Sequence, residues 1–192
     1  MNYTKTVGEF HAKMNIHKNG PGGRPSKRLR LITEETAELI IAIDEHNVVE
    51  IADAAADLVY VIAGTIEVLG FEENLLFTRV FPDRAPGLQD RLNTPGQEVT
   101  VMALLNEHLG AVSTYMMAYA NMDQSLLLKN ELNKFIFSVR EVAGLFGIPF
   151  DEVFKEVHSS NMSKQPLDEH GKGGKGLGYA PPQIKRVLEN YA

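Results

Sequence analysis

The chain has 192 residues, a net charge of −6 and no cysteine. That length allows one domain with a real core, and the missing thiols exclude disulfides, zinc–thiolate centres and cysteine nucleophiles. The acidic balance argues against a general nucleic-acid binder, whose hold on a phosphate backbone needs a basic surface.

In chain order the sequence reads as helices with almost no strands. Residues 4 to 15 predict a short helix with Val7, Phe10 and Met14 on one face. Glycine and proline between His17 and Pro25 mark a loop. Ser26 is the expected N-cap of a helix running to about His46, and a second helix from about 48 to 69 ends at Gly70. Residues 82 to 96 carry Pro82, Pro86, Pro95 and Gly96 and read as irregular. Helices follow at about 98 to 120 and 124 to 146, then a short one from Pro149 to about His158. A glycine-rich loop comes next, and a helix from Pro182 to about Tyr191 closes the chain. The pattern is all-α, most simply a single-domain helix bundle. The start, Met1-Asn2-Tyr3-Thr4-Lys5-Thr6, lacks the apolar core of a signal peptide, and Glu67 interrupts the longest apolar run. A soluble, cytoplasmic protein that keeps clear of membranes is the expectation.

Two acid clusters stand out. Glu34, Glu35 and Glu38 precede Leu39-Ile40-Ile41-Ala42-Ile43, and Glu50, Asp53 and Asp57 form one stripe on the next helix. Residues three, four and seven apart share a helical face. A glutamate run by itself is usually a solvated face. Here the second stripe lies on a helix that is apolar nearly all round, and buried carboxylates are costly unless paired or bound to metal. Two such stripes face to face would make an oxygen-only cage suited to Mg²⁺, with Mn²⁺ the alternative ion. Other chemistries find less support. No Glu-x-x-His pair serves a ferritin-like di-iron site, and no G-x-x-x-x-G-K-[ST] forms a P-loop. Met102, Met116, Met117 and Met122 read as core or interface filler, and His158 as a packing or capping residue.

The order of these motifs resembles a known family. Glu34-Glu35-x-x-Glu38 followed by Glu50-x-x-Asp53 is similar to the EExxE…ExxD signature of the all-α nucleoside triphosphate pyrophosphohydrolases, the superfamily of MazG, phosphoribosyl-ATP pyrophosphohydrolase and the dimeric dUTPases. Phe150 to Lys164, Gly171 to Gly176, and Tyr179-Ala180-Pro181-Pro182 resemble the C-terminal segment of MazG-like members, and Phe10-His11 and Arg28 to Ile32 agree. The resemblance implies a MazG-like bundle with a four-helix core. It also implies cleavage of a nucleoside triphosphate between its α and β phosphates, in nucleotide-pool house-cleaning or, as the alternative substrate, on phosphoribosyl-ATP. A non-catalytic nucleotide-binding module is the competing reading. Under the resemblance Glu35 orients or deprotonates the attacking water, and Glu34, Glu38, Glu50, Asp53 and Asp57 share the metal. Asn161, Lys164, Lys172, Lys175, Tyr179, Arg28 and Arg30 are the candidate substrate contacts.

Two departures qualify it. Many relatives place the aspartate of ExxD directly before a Leu-Leu-Tyr-like run, which makes it Asp57, and the glutamate three residues earlier then falls on Ala54. Residues of about 72 to 146 stand where shorter relatives have a direct connection. They are expected to supply, in one chain, helices that a partner subunit supplies elsewhere, so that a homodimer is expected if they do not. The similar endings Leu69-Gly70-Phe71 and Phe146-Gly147-Ile148 hint at a degenerate internal repeat.

Overall fold

A computed structural model describes residues 1–73, 96–122, 125–166 and 174–191. Among the described residues there are seven α-helices: α1 (Tyr3–Met14), α2 (Pro25–Asp44), α3 (Val48–Val68), α4 (Gln97–Met122), α5 (Ser125–Leu145), α6 (Phe150–Ser163) and α7 (Ile184–Tyr191). The only β pairing among them is an isolated antiparallel bridge between Gln165 and Gly174. The fold is all-α, as the periodicity predicts. None of these helices is long and apolar enough to cross a membrane.

α3 is the hub. It packs against α1, α2, α5, α6 and α7, and Ile51, Ala52, Ala55, Ala56, Leu58, Val59, Ile62, Ala63 and Ile66 are fully buried along it. Its alanines on successive turns leave room for neighbouring backbones, which is why one helix can touch five others. α2 pairs with α3 and with α4, α4 pairs with α5, and α5 returns to α3, closing a four-helix core within one chain. The segment of about 98 to 146 therefore packs on the acidic helices.

The α2–α3 turn sets the acids opposite each other. His46 adopts a left-handed conformation (φ 53°), its N–H bonding Ile43 O while the Asn47 N–H bonds Ala42 O, the Schellman pattern that ends a helix. Asn47 then caps α3, its Oδ1 accepting from Glu50 N–H at 3.3 Å. So short a reversal makes the two helices antiparallel neighbours. α3 and α5 end alike, on Gly70 (φ 74°) and Gly147 (φ 69°), with the Phe71 and Ile148 N–H groups reaching back to Ile66 and Ala143. This ending is common among helices, and it is the one feature the two share here.

Several boundaries differ from expectation. α2 begins at Pro25, with Arg24 as N-cap and no side-chain cap bond, so Ser26 lies inside the first turn. Proline at the first helical position, with its fixed φ and missing N–H, explains the earlier start. α6 continues to Ser163, which puts Asn161 on a helix. Met116 is core, but Met117 is 62% exposed. The irregular stretch expected at 82 to 96 lies outside the described residues except for Gly96, and so does the side chain of Met122.

Arg28 is buried inside the bundle. Its Nε donates to Thr65 Oγ1 at 3.0 Å and its Nη2 to Val61 O at 2.6 Å. Gly64 makes this possible, because a Cβ there would lie 3.0 Å from Arg28 Nη2 and 2.9 Å from His11 Nε2. His11 is held in turn by Glu67, Nδ1 to Oε2 at 2.5 Å. Burial pushes the guanidinium down to about 10, with Glu67 working the other way, so the group stays cationic at neutral pH. Arg28→Leu is expected to cost about 2–4 kcal/mol in urea unfolding, since it removes the buried hydrogen bonds to Thr65 Oγ1 and Val61 O and the positive charge near Glu67. Nucleotide KM should not move in the folded fraction.

Candidate active site

The acids of α2 and α3 meet at a cavity of about 200 Å³ lined by Glu38, Ile41, Ala42, Glu45, Glu50, Asp53, Ala54 and Asp57. Helical periodicity explains the lining, because Glu38, Ile41, Ala42 and Glu45 recur at three, four and seven residues, as do Glu50, Asp53, Ala54 and Asp57. Glu45 is absent from the acid clusters read in the sequence. The signal for it was present, since it lies seven residues beyond Glu38. Ala54 forms part of the wall, so the position where many relatives carry a glutamate has only a methyl group.

The electrostatics show which acids crowd together. Burial raises Glu35 to about 7, helped by the charges of Asp57, Glu38, Glu34 and Asp53. Asp57 also rises to about 7, chiefly through burial and then through Asp53, with Lys164 and Lys175 pulling it back. Asp53 is raised by burial, Glu50 and Glu38, again opposed by both lysines. Glu35 thus sits beside the cavity with Asp57 as its strongest charged neighbour. Glu34 is exposed, and its Oε1 accepts from Arg30 Nη1 at 2.5 Å.

The C-terminal segment faces these acids. On α6, buried Asn161 accepts from Lys164 Nζ through Oδ1 at 2.6 Å and hydrogen-bonds the Tyr60 side chain. Asn161 therefore aims Lys164. Tyr60 also meets His158 Nδ1 at 3.0 Å, and His158 Nε2 stands 3.7 Å from Glu9, which makes His158 a packing residue. The Gln165–Gly174 bridge ties the chain that follows, with N–H···O distances of 2.9 and 3.2 Å. Lys175 then lies with its ammonium 5.2 Å from the Tyr179 ring centroid. Lys172 lies outside the described residues.

Of the residues singled out, Glu38, Glu50, Asp53 and Asp57 line one cavity, with Glu35, Lys164 and Lys175 within electrostatic reach. Arg30 is engaged with Glu34 on the surface. Arg28 lies in the interior, with its Nε and Nη2 bonded to Thr65 Oγ1 and Val61 O.

The donor set suits a hard divalent cation, being carboxylate oxygen throughout. Asp53 Oδ1 is buried and has no hydrogen-bond partner among the described residues, a costly state that a cation would relieve. Among the described residues, no three acidic or imidazole groups already converge as a coordination shell. Closing on an ion therefore requires rotamer changes, for which the exposed Glu38 and Glu50 have freedom.

Residues 8–80 match the phosphoribosyl-ATP pyrophosphohydrolase family. That family belongs to the MazG-like all-α NTP pyrophosphohydrolase superfamily. The matched segment contains both acidic stripes, so the superfamily match and the cavity fall on the same residues. A curated relative from Acanthamoeba polyphaga mimivirus, described as uncharacterized protein L479, is 31% identical over 158 residues. The alignment covers 74% of this chain and 59% of that relative. No solved structure matches the chain.

Proposed function

We propose that the protein is a Mg²⁺-dependent nucleoside triphosphate pyrophosphohydrolase, releasing a nucleoside monophosphate and pyrophosphate. The observation that carries this reading is the cavity of Glu38, Glu50, Asp53 and Asp57 opposite Lys164 and Lys175, on the segment matched by the family. Carboxylates cannot hold a polyanion themselves. A divalent ion bound by Glu38, Glu50, Asp53 and Asp57 would supply charge neutralisation of the phosphates. Phosphoryl transfer asks little covalent work of a protein beyond this and positioning.

The chain's own residues do the rest. Glu35, raised to about 7, is poised to take a proton from water near neutral pH, where a general base works best. Lys164, aimed by Asn161, and Lys175, set against Tyr179, bring positive charge to the phosphates. Since α4 and α5 complete the four-helix core within the chain, the reading needs no residue from a partner subunit.

Phosphoribosyl-ATP is the second substrate reading, favoured by the description of the matching family; the long α4–α5 segment weighs toward free nucleotides. A turnover panel of canonical and modified (d)NTPs together with phosphoribosyl-ATP, read by pyrophosphate release with Mg²⁺, separates them. Activity confined to phosphoribosyl-ATP would overturn the house-cleaning reading. Mg²⁺-dependent nucleotide binding without turnover would make the protein a binding module.

A further inference from the structure

A second cavity, of about 230 Å³, adjoins the first. It shares Glu50 and Asp53, and its other walls are Val49 and Pro182 to Arg186, the lead-in and first turn of α7. Lys185 and Arg186 therefore stand across a gap from two carboxylates. Yet neither cation pairs with them. Among the described residues Lys185 has only Glu189, at 4.0 Å on the surface, an arrangement worth little. Arg186 is exposed and has no ion-pair or hydrogen-bond partner among the described residues.

The cations are held on a seated element. Ile184 is buried at 4% exposure, and α7 packs on both α3 and α6. The Gln183 N–H donates to Glu156 Oε1 at 2.9 Å, and the Ala180 N–H donates to Ser163 Oγ at 2.9 Å. An acidic wall and a basic wall that do not neutralise each other suit a ligand carrying both signs. A cation–polyphosphate chelate is such a ligand, with its metal toward Glu50 and Asp53 and its phosphate oxygens toward Lys185 and Arg186. A neutral base needs neither wall.

We propose that this second cavity holds the departing pyrophosphate, the β and γ phosphates of the substrate, with Lys185 and Arg186 as its direct contacts. The proposal rests on the hydrolase reading and deepens it. It places the leaving group on the α7 side of Asp53, and the monophosphate portion toward Glu38, Lys164 and Lys175. Hydrogen bonds from a guanidinium to a phosphate are among the stronger ones, so the two cations would make the site favour triphosphates over shorter nucleotides.

The test is calorimetric binding of pyrophosphate with Mg²⁺ to the full chain, comparing wild type with Lys185→Ala/Arg186→Ala. The double variant should weaken Mg–pyrophosphate by roughly 10- to 100-fold, leave nucleoside monophosphate binding within about twofold, and raise the triphosphate's KM more than it lowers kcat. Arg186→Lys, which keeps the charge, should recover part of the loss. A control, Lys134→Ala/Lys155→Ala, removes two charges from elsewhere on the surface and should change little. Unchanged pyrophosphate affinity in the double variant, an equal loss in the control, or a loss confined to the monophosphate would overturn the proposal. A wild-type protein that binds Mg–pyrophosphate through these residues but releases none from any triphosphate would instead sink the hydrolase reading, so the two failures are distinguishable.

Discussion

Glu35→Gln is expected to lower kcat by about 10²- to 10⁴-fold while leaving substrate KM within a few-fold. The glutamine keeps the volume and one acceptor oxygen but cannot take a proton. Glu35 is half-buried, and its carboxyl is raised to about 7 first by burial and then by Asp57, Glu38, Glu34 and Asp53. A base in that range is ionised in part at neutral pH and still basic enough to accept a proton. Wild-type kcat/KM should therefore rise with pH along a limb at or below about 7, because any cation beside the group draws its titration downward. In the variant that limb should vanish. If Glu35→Gln retains full kcat with the same pH profile, the base lies elsewhere.

Asp57→Asn should do two opposite things. It should remove turnover and the stabilisation that Mg²⁺ provides, while making the metal-free protein more stable at pH 8 by about 1–3 kcal/mol. A carboxyl raised from 3.8 to about 7 on folding binds its proton more tightly in the native state than in the unfolded chain. Between those values the native state holds more protons, so stability falls as pH rises. The metal-free wild type is accordingly most stable below about pH 4 with respect to this group, and loses that contribution up to about pH 7. Glu35 and Asp53, also raised, act in the same direction. Asparagine has no charge to bury and escapes the loss. Divalent cations need the ionised form, so their stabilising effect in thermal melts should grow from pH 5 to pH 8 in the wild type. An Asp57→Asn protein that is less stable than wild type at pH 8 without metal, or equally stabilised by Mg²⁺, would contradict the assignment.

Much of this site was legible because helices make face membership a matter of counting. Glu38, Glu50, Asp53 and Asp57 share faces by their spacing alone, and the three-residue hand-off at Glu45-His46-Asn47 joins those faces. Lys164 and Asn161 came from resemblance, and the structure supplies what resemblance lacked, the bond by which one aims the other. Arg28 shows the limit. Its fate depends on Gly64 and Thr65 a helix away, and nothing within Arg28-Leu29-Arg30 distinguishes a buried guanidinium from the surface one two residues on. The cations of α7 were hidden for the same reason. Lys185 and Arg186 fall on the closing helix expected from Pro182 to about Tyr191 and belong to no motif; the docking of Ile184 and Gln183 is what brings them opposite Glu50. Long-range packing, unlike periodicity, leaves no local mark.

The most direct measurement is product identity. Purified wild type and Glu38→Gln would be incubated side by side with a nucleoside triphosphate and Mg²⁺, and pyrophosphate and single phosphate quantified separately. The account predicts one pyrophosphate per monophosphate from the wild type, none without the cation, and a loss of about 10²-fold or more in Glu38→Gln. Release of single phosphates, or pyrophosphate formed equally well by Glu38→Gln, would contradict it.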